Sequence, residues 1–146
     1  MKLNILIILC GIFPSALAQN NILEGVWKNA DNSKHIEFYN TDENVWNAKI
    51  VYLKNSKDAN GEPLRDVYNT KPSLRSRKVI GIDYLYDLRL KNNETKLIGG
   101  NIYYYQNGNN YNAIVELKDE KTLNIKGYWW FFRFLGSNSK WTKISK

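Results

Sequence analysis

The chain has 146 residues, of which 21 are Lys or Arg and 14 are Asp or Glu, a formal net charge of +7. That length carries one ordinary domain, and a single cysteine excludes a disulfide framework or a thiolate metal site. Basic charge can favour nucleic acid or anionic lipid, but here the lysines are scattered, many beside asparagines. With no basic cluster and no binding motif, nucleic acid is not an expected partner.

The first eighteen residues read as a signal peptide. Lys2 supplies the positive start, residues 3–13 are mostly apolar, and Ala16-Leu17-Ala18 is a small-x-small cleavage site. The mature chain is expected to begin at Gln19. The apolar run is shorter than the ~20 residues a spanning helix needs, so no transmembrane span is expected in the mature chain. Cys10 follows Leu9, where a lipoprotein site has a small residue. Cleavage removes Cys10 and Lys2 and leaves 128 residues, 20 basic against 14 acidic, net +6. Export without disulfides fits a bacterial periplasmic or secreted protein.

Residues 19–146 read as a single domain without repeat or linker. No sustained helical period appears. Short alternating segments bounded by Asn, Asp, Gly and Ser recur, the pattern of strands and turns. Gly25-Val26-Trp27 opens the first strand, and Asp31-Asn32-Ser33 turns. His35 to Tyr39 alternate, with Ile36 and Phe38 on the core face. Asp42-Glu43-Asn44 turns again. Trp46, Ala48, Ile50 and Tyr52 are expected to share the next core face, with Asn47 and Lys49 pointing away.

Residues 54–78 form a long irregular stretch with Asn60-Gly61, Pro63 and Pro72. Loops of this length inside a domain are uncommon and usually functional or disordered. Strand signals resume over residues 79–90, and Asn92-Asn93 turns. Residues 97–105, 111–117 and 123–132 are three further strands, with hairpin turns at Asn107-Gly108-Asn109-Asn110 and Lys118-Asp119-Glu120. Trp141-Thr142-Lys143-Ile144 is the last. The total is about eight strands, an all-β antiparallel meander barrel or a sandwich. Within Trp129-Trp130-Phe131-Phe132, strand alternation would aim Trp129 and Phe131 one way, Trp130 and Phe132 the other.

One set of residues runs through the chain: Gly25-x-Trp27, Ile36-Glu37, Lys49-Ile50-Val51 followed by Leu53, and Asn60-Gly61-x-Pro63-Leu64. Its most specific stretch is Asp66-x-x-Asn69, then Leu74-Arg75-Ser76-Arg77 and Gly81. Gly99-Gly100-x-Ile102-Tyr103, Tyr111, Leu123-x-Ile125-x-Gly127-Tyr128, Leu135-Gly136 and Trp141-Thr142 complete it. In these residues the chain resembles the bacterial domain-of-unknown-function 2147 family. Lys143 and Lys126 stand where the family often has Arg, and the aromatic run from Trp129 replaces a smaller segment. The resemblance implies an exported, lipocalin-like or calycin-like eight-stranded barrel. In such barrels a tryptophan near the first strand's start packs against a cation from the last, here Trp27 and Lys143.

No hydrolase triad, calcium loop or phosphate-cradling loop is present. The sole histidine, His35, is expected on the outer face, and no cofactor or metal is expected. Arg75 and Arg77, two apart in an extended segment, would point the same way. With Asp66 and Asn69 they make either an anion site at the barrel mouth or a pin, Arg75 on Asp66, that holds the long loop. Three functions follow. A barrel of about eight strands is either filled or holds one small ligand. Trp46, Tyr103, Tyr105, Tyr111, Tyr128 and Trp129 would line a site for an amphipathic or lipid-like molecule. The alternative is a solid barrel that binds an envelope protein through the face of Trp130 and Phe132. The third is an enzyme using Asp66, Asp83 and Asp87.

Overall fold

An alternating strand seals its apolar face from water only when the sheet packs on another layer or curls onto itself. The computed structural model describes residues 22–90, 95–129, 131–132 and 136–144, and over them the sheet curls. Its strands are β1 (Gly25–Asn29), β2 (Lys34–Asp42), β3 (Val45–Leu53), β4 (Asp83–Leu90), β5 (Lys96–Tyr104), β6 (Asn109–Asp119), β7 (Thr122–Tyr128) and β8 (Gly136–Lys143). Each pairs antiparallel with the next, and β8 pairs with β1 to close the barrel. The signal segment, Cys10, the Asn92-Asn93 turn, Trp130 and Leu135 lie outside the described residues.

The barrel has two unlike ends. One holds the start of β1, the β2–β3 turn and the end of β8. There Trp27 is fully buried, meets Phe38 edge-on at 6.4 Å, and donates its indole N–H to the Leu23 carbonyl at 2.9 Å. Lys143 pairs in register with Trp27, and its Nζ lies 5.4 Å from the indole ring while donating to the Ile22 carbonyl at 2.7 Å. Trp46, Ile36, Ile50, Leu88, Leu97, Val115 and Leu123 fill the interior. The other end, the mouth, carries the β1–β2, β3–β4, β5–β6 and β7–β8 connections.

Several local expectations change. Tyr52 was expected on the core face, yet it lies outside, 40% exposed, its ring 4.3 Å from that of His35. The β2–β3 register shifts between His35 and Ile36. This bulge inserts Val51 and flips the alternation beyond it. β4 begins at Asp83, not at Val79. Val79 and Ile82 still reach the core from the loop, because Gly81 turns there at φ +102 and bonds back to Ile50. β7 ends at Tyr128, where its pairing with Gly136 of β8 ends. Beyond it, the Phe132 N–H bonds to the Trp129 carbonyl at 2.9 Å, and Trp129, Phe131 and Phe132 lie in no strand, so the expected strand alternation does not apply to them. β8 is longer than expected, starting at Gly136.

Replacing Lys143 with Met keeps the side-chain bulk but removes the cation over Trp27 and its bond to Ile22. The expected loss is about 1–2 kcal/mol of unfolding free energy, measured by urea titration. An unchanged midpoint would show that the ammonium contributes nothing to closure.

Candidate functional site

The long loop leaves the wall after Leu53 and returns at Asp83. It folds on itself through short bridges between Lys57 and Pro63 and between Arg65 and Lys78. Pro72–Leu74 form one 3-10 turn. Its anchor is Asp66, a carboxylate with no solvent exposure. Oδ1 accepts the Tyr103 hydroxyl at 2.6 Å; Oδ2 accepts Asn69 Nδ2 at 2.8 Å and Arg77 Nε at 2.9 Å. Arg77 Nη2 reaches the same oxygen at 2.9 Å. A buried carboxylate is tolerable only when it is hydrogen-bonded and its charge is met; here both oxygens accept hydrogen bonds and Arg77 supplies the charge. Burial, then the bond to Asp66, pushes the Tyr103 hydroxyl up to about 12.

The expected partner of Asp66 was Arg75. The structure assigns that role to Arg77, while Arg75 Nε donates to the Asn69 carbonyl at 2.8 Å. The segment is not extended. The 3-10 turn rotates Arg75 away, so the two guanidinium groups do not act as a parallel fork. Tyr103 was expected to line the interior, yet it faces the loop, because Ile102 takes the inner position opposite Leu85 and Tyr111. Between the loop and the outer wall runs a groove of about 700 Å³, bordered by Asn69, Lys71, Arg77, Asp83, Tyr86 and Tyr103. At the rim, Gly108 has φ +71, and an added Cβ would overlap the Tyr68 carbonyl, so the β5–β6 turn and the loop touch there.

A second concavity opens at the mouth. It measures about 280 Å³ and is lined by Tyr104, Asn107, Tyr111, Gly127, Tyr128, Trp129 and Ser137. Gly127 continues the inner face after Ile125. An added Cβ there would stand 3.4 Å from Ile102 and 3.9 Å from the Tyr104 hydroxyl, so the missing side chain opens the space. Ring contacts connect the lining: Tyr104 meets Tyr111 at 5.2 Å, and Tyr111 meets Trp129 at 5.0 Å. Of the anticipated lining residues, Tyr111, Tyr128 and Trp129 border this recess. Tyr105 is half-buried near the mouth, and Trp46 is buried in the core, its indole N–H unpaired among the described residues. The expectations missed Tyr104, Gly127 and Ser137. The alternation Ile125, Gly127, Trp129 carried the signal for one of them.

The three aspartates considered for catalysis do not share a cavity wall as free groups. Asp83 binds the Tyr39 hydroxyl at 2.6 Å and Asn47 at 3.0 Å, Asp66 is held by Tyr103, Asn69 and Arg77, and Asp87 is exposed with φ +59. His35 Nε2 donates one bond to Asn32 Oδ1 at 2.8 Å. Among the described residues no group of three His, Cys, Asp or Glu is placed to hold a metal ion. No helix among them is long and apolar enough to cross a membrane.

Two substitutions test the pin. Arg77→Ala leaves Asp66 without its cation; the expected cost is about 2–3 kcal/mol, below that of a fully enclosed pair because Arg77 is partly exposed. Tyr103→Phe is expected to cost about 1.5–3 kcal/mol at neutral pH. Because the Tyr103 hydroxyl ionises later in the folded chain than in the unfolded one, its stabilisation is intact below pH 10 and drains between pH 10 and about 12. The Phe variant should therefore show a flatter loss of stability across that window in chemical denaturation at stepped pH.

Among solved structures, the chain is similar to HP1028 from Helicobacter pylori, a protein reported to belong to the lipocalin family. The identity is 21%, the TM-score 0.71, and the match covers 85% of this chain and 84% of that one. At this identity the likeness is one of fold. A redesigned β barrel also aligns, at 12% identity and a TM-score of 0.46, over 86% of this chain and 94% of that one. No curated protein matches the chain. The family described as uncharacterized protein conserved in bacteria (DUF2147) matches residues 25–143, from the start of β1 to the end of β8, and the chain belongs to that family.

Proposed function

We propose that this is an exported, periplasmic or secreted barrel that binds a small amphipathic ligand at its mouth. The observation that carries the reading is the recess lined by Tyr104, Tyr111 and Trp129 above a packed core. At about 280 Å³ it stands at the lower edge of small-molecule pockets, which run from about 300 to 1,000 Å³. It suits one short apolar chain or ring, with the polar part left near the rim. Tyrosine rings with hydroxyl tips serve both halves of such a molecule. The lipocalin-like fold is compatible with this use. The signal peptide read in residues 1–18 of the sequence supports an envelope setting.

A second reading rests on the exposed rings of the β7–β8 connection, where Trp129, Phe131 and Phe132 are 56%, 70% and 52% exposed. Contiguous exposed apolar surface marks an interaction face, here for an envelope protein. The Trp130 and Phe132 pairing first expected for that face falls partly outside the described residues.

Native mass spectrometry of protein purified from its envelope separates the two. The expected result is one small amphiphile per chain, retained by Gly127→Ala and lost in Gly127→Leu, whose side chain fills the recess, with the melting temperature of both variants near wild type. A ligand-free wild type that takes up no added amphiphile would reject the recess and favour the interaction face.

A further inference from the structure

Lys34 opens β2 at the mouth. It shares the inward face of Ile36 and Phe38, both buried. Its Nζ stands 4.1 Å from the centre of the Tyr84 ring and 5.7 Å from that of Tyr105. Tyr84 in turn meets Tyr104 edge-on at 6.0 Å, and Tyr104 lines the recess. The ammonium and the recess therefore share one continuous aromatic lining that crosses from β2 through β4 and β5 to β6.

That cation has no counter-ion among the described residues. Their ion pairs join Lys49 to Glu37, Arg77 to Asp66, and Lys96 and Lys118 to Glu116. The acid that attracts Lys34 is Asp31 in the β1–β2 turn, and its Oδ1 already accepts the hydroxyl and the N–H of Ser33 at 2.8 and 3.2 Å. Burial holds the Lys34 amine down to about 8, still charged at neutral pH. Ring faces attract a cation, but they do not replace the water it has lost or cancel its charge. A ligand that brings an anion to this point would supply both a hydrogen-bond acceptor and the missing charge.

We infer that the mouth takes a single-chain anionic amphiphile, its head group paired with Lys34 Nζ beside Tyr84 and Tyr105, its apolar chain laid along Tyr104 and Tyr111 into the recess. This rests on the recess being a ligand site and adds the charge of the ligand and the residue that reads it. The head group is a carboxylate or a phosphate ester; both present oxygens that one ammonium can meet.

Isothermal calorimetry with octanoate, octyl phosphate and octanol, whose chains match a recess of this size, tests the inference. Wild-type protein is expected to bind at least one of the two anions tenfold or more tightly than octanol, and the stronger of them identifies the head group. Lys34→Met should bring the anions to the octanol level and leave octanol unchanged, while Lys34→Arg keeps the preference. Thermal melts of both variants guard against unfolding, with Lys34→Gln in reserve if the Met variant melts early. Equal binding of octanol and the anions by wild type, or an anion preference that survives Lys34→Met, overturns this inference and leaves the recess standing as a neutral site. Failure of all three probes to bind overturns the recess reading and this inference with it.

Discussion

Closure of β8 onto β1 is the constraint on which the rest of this structure depends. The contact is short, three register pairs from Trp27 opposite Lys143 to Asn29 opposite Trp141. It removes both free edges of the sheet and turns an alternating sequence into one with a true inside. The short β1 strand alone would be a weak closure. Its strength comes from what sits at the seam: an indole with no solvent exposure, its N–H satisfied by Leu23, and a lysine that lies against its ring and ties the chain before β1 to the end of β8. With that end plugged, the large side chains of the interior pack against it, and the space that remains opens at the mouth.

The second constraint is the Asp66 carboxylate. A fully buried charge destabilises a fold unless it is hydrogen-bonded and a cation is near. Tyr103 from β5, with Asn69 and Arg77 from the loop, meets that demand, and so the loop is tied to one place on the outer wall. The consequence for function is a division of labour. The charged, hydrogen-bonded chemistry of the loop faces the outside of the barrel, whereas the mouth is aromatic, with Lys34 as the cation set among its rings.

Lys34 and Asp66 are opposite solutions to the same problem. Asp66 has its partners within the chain, while Lys34 has ring faces and, among the described residues, no carboxylate within ion-pair distance. Because burial lowers the Lys34 amine from 10.5 to about 8, the unfolded chain holds that proton more tightly than the folded one. The fold therefore carries a cost for this residue at neutral pH that lessens as pH rises from about 8 towards 10.5.

Much of this was legible in the chain. Period-two alternation and the Asn, Asp and Gly turns pointed to about eight strands, the composition of residues 54–78 placed the loop, and its motif grouped Asp66 and Asn69 with Arg75 and Arg77. Alternation also sets Lys34 on the face of Ile36 and Phe38, although a lysine there reads against burial. What stayed out of reach depends on residues distant in sequence. A bulge at one register position turned Tyr52 outward, and a 3-10 turn exchanged Arg75 for Arg77. The inner place went to Tyr104 because Ile102 faces Leu85 and Tyr111, and β7 stopped where its partner did. Strand periodicity is a property of the local backbone and is written in neighbouring residues. Which face turns inward, which charge meets which, and where an interior is left unfilled are settled by contacts across the sheet, and those exist only once the barrel has closed.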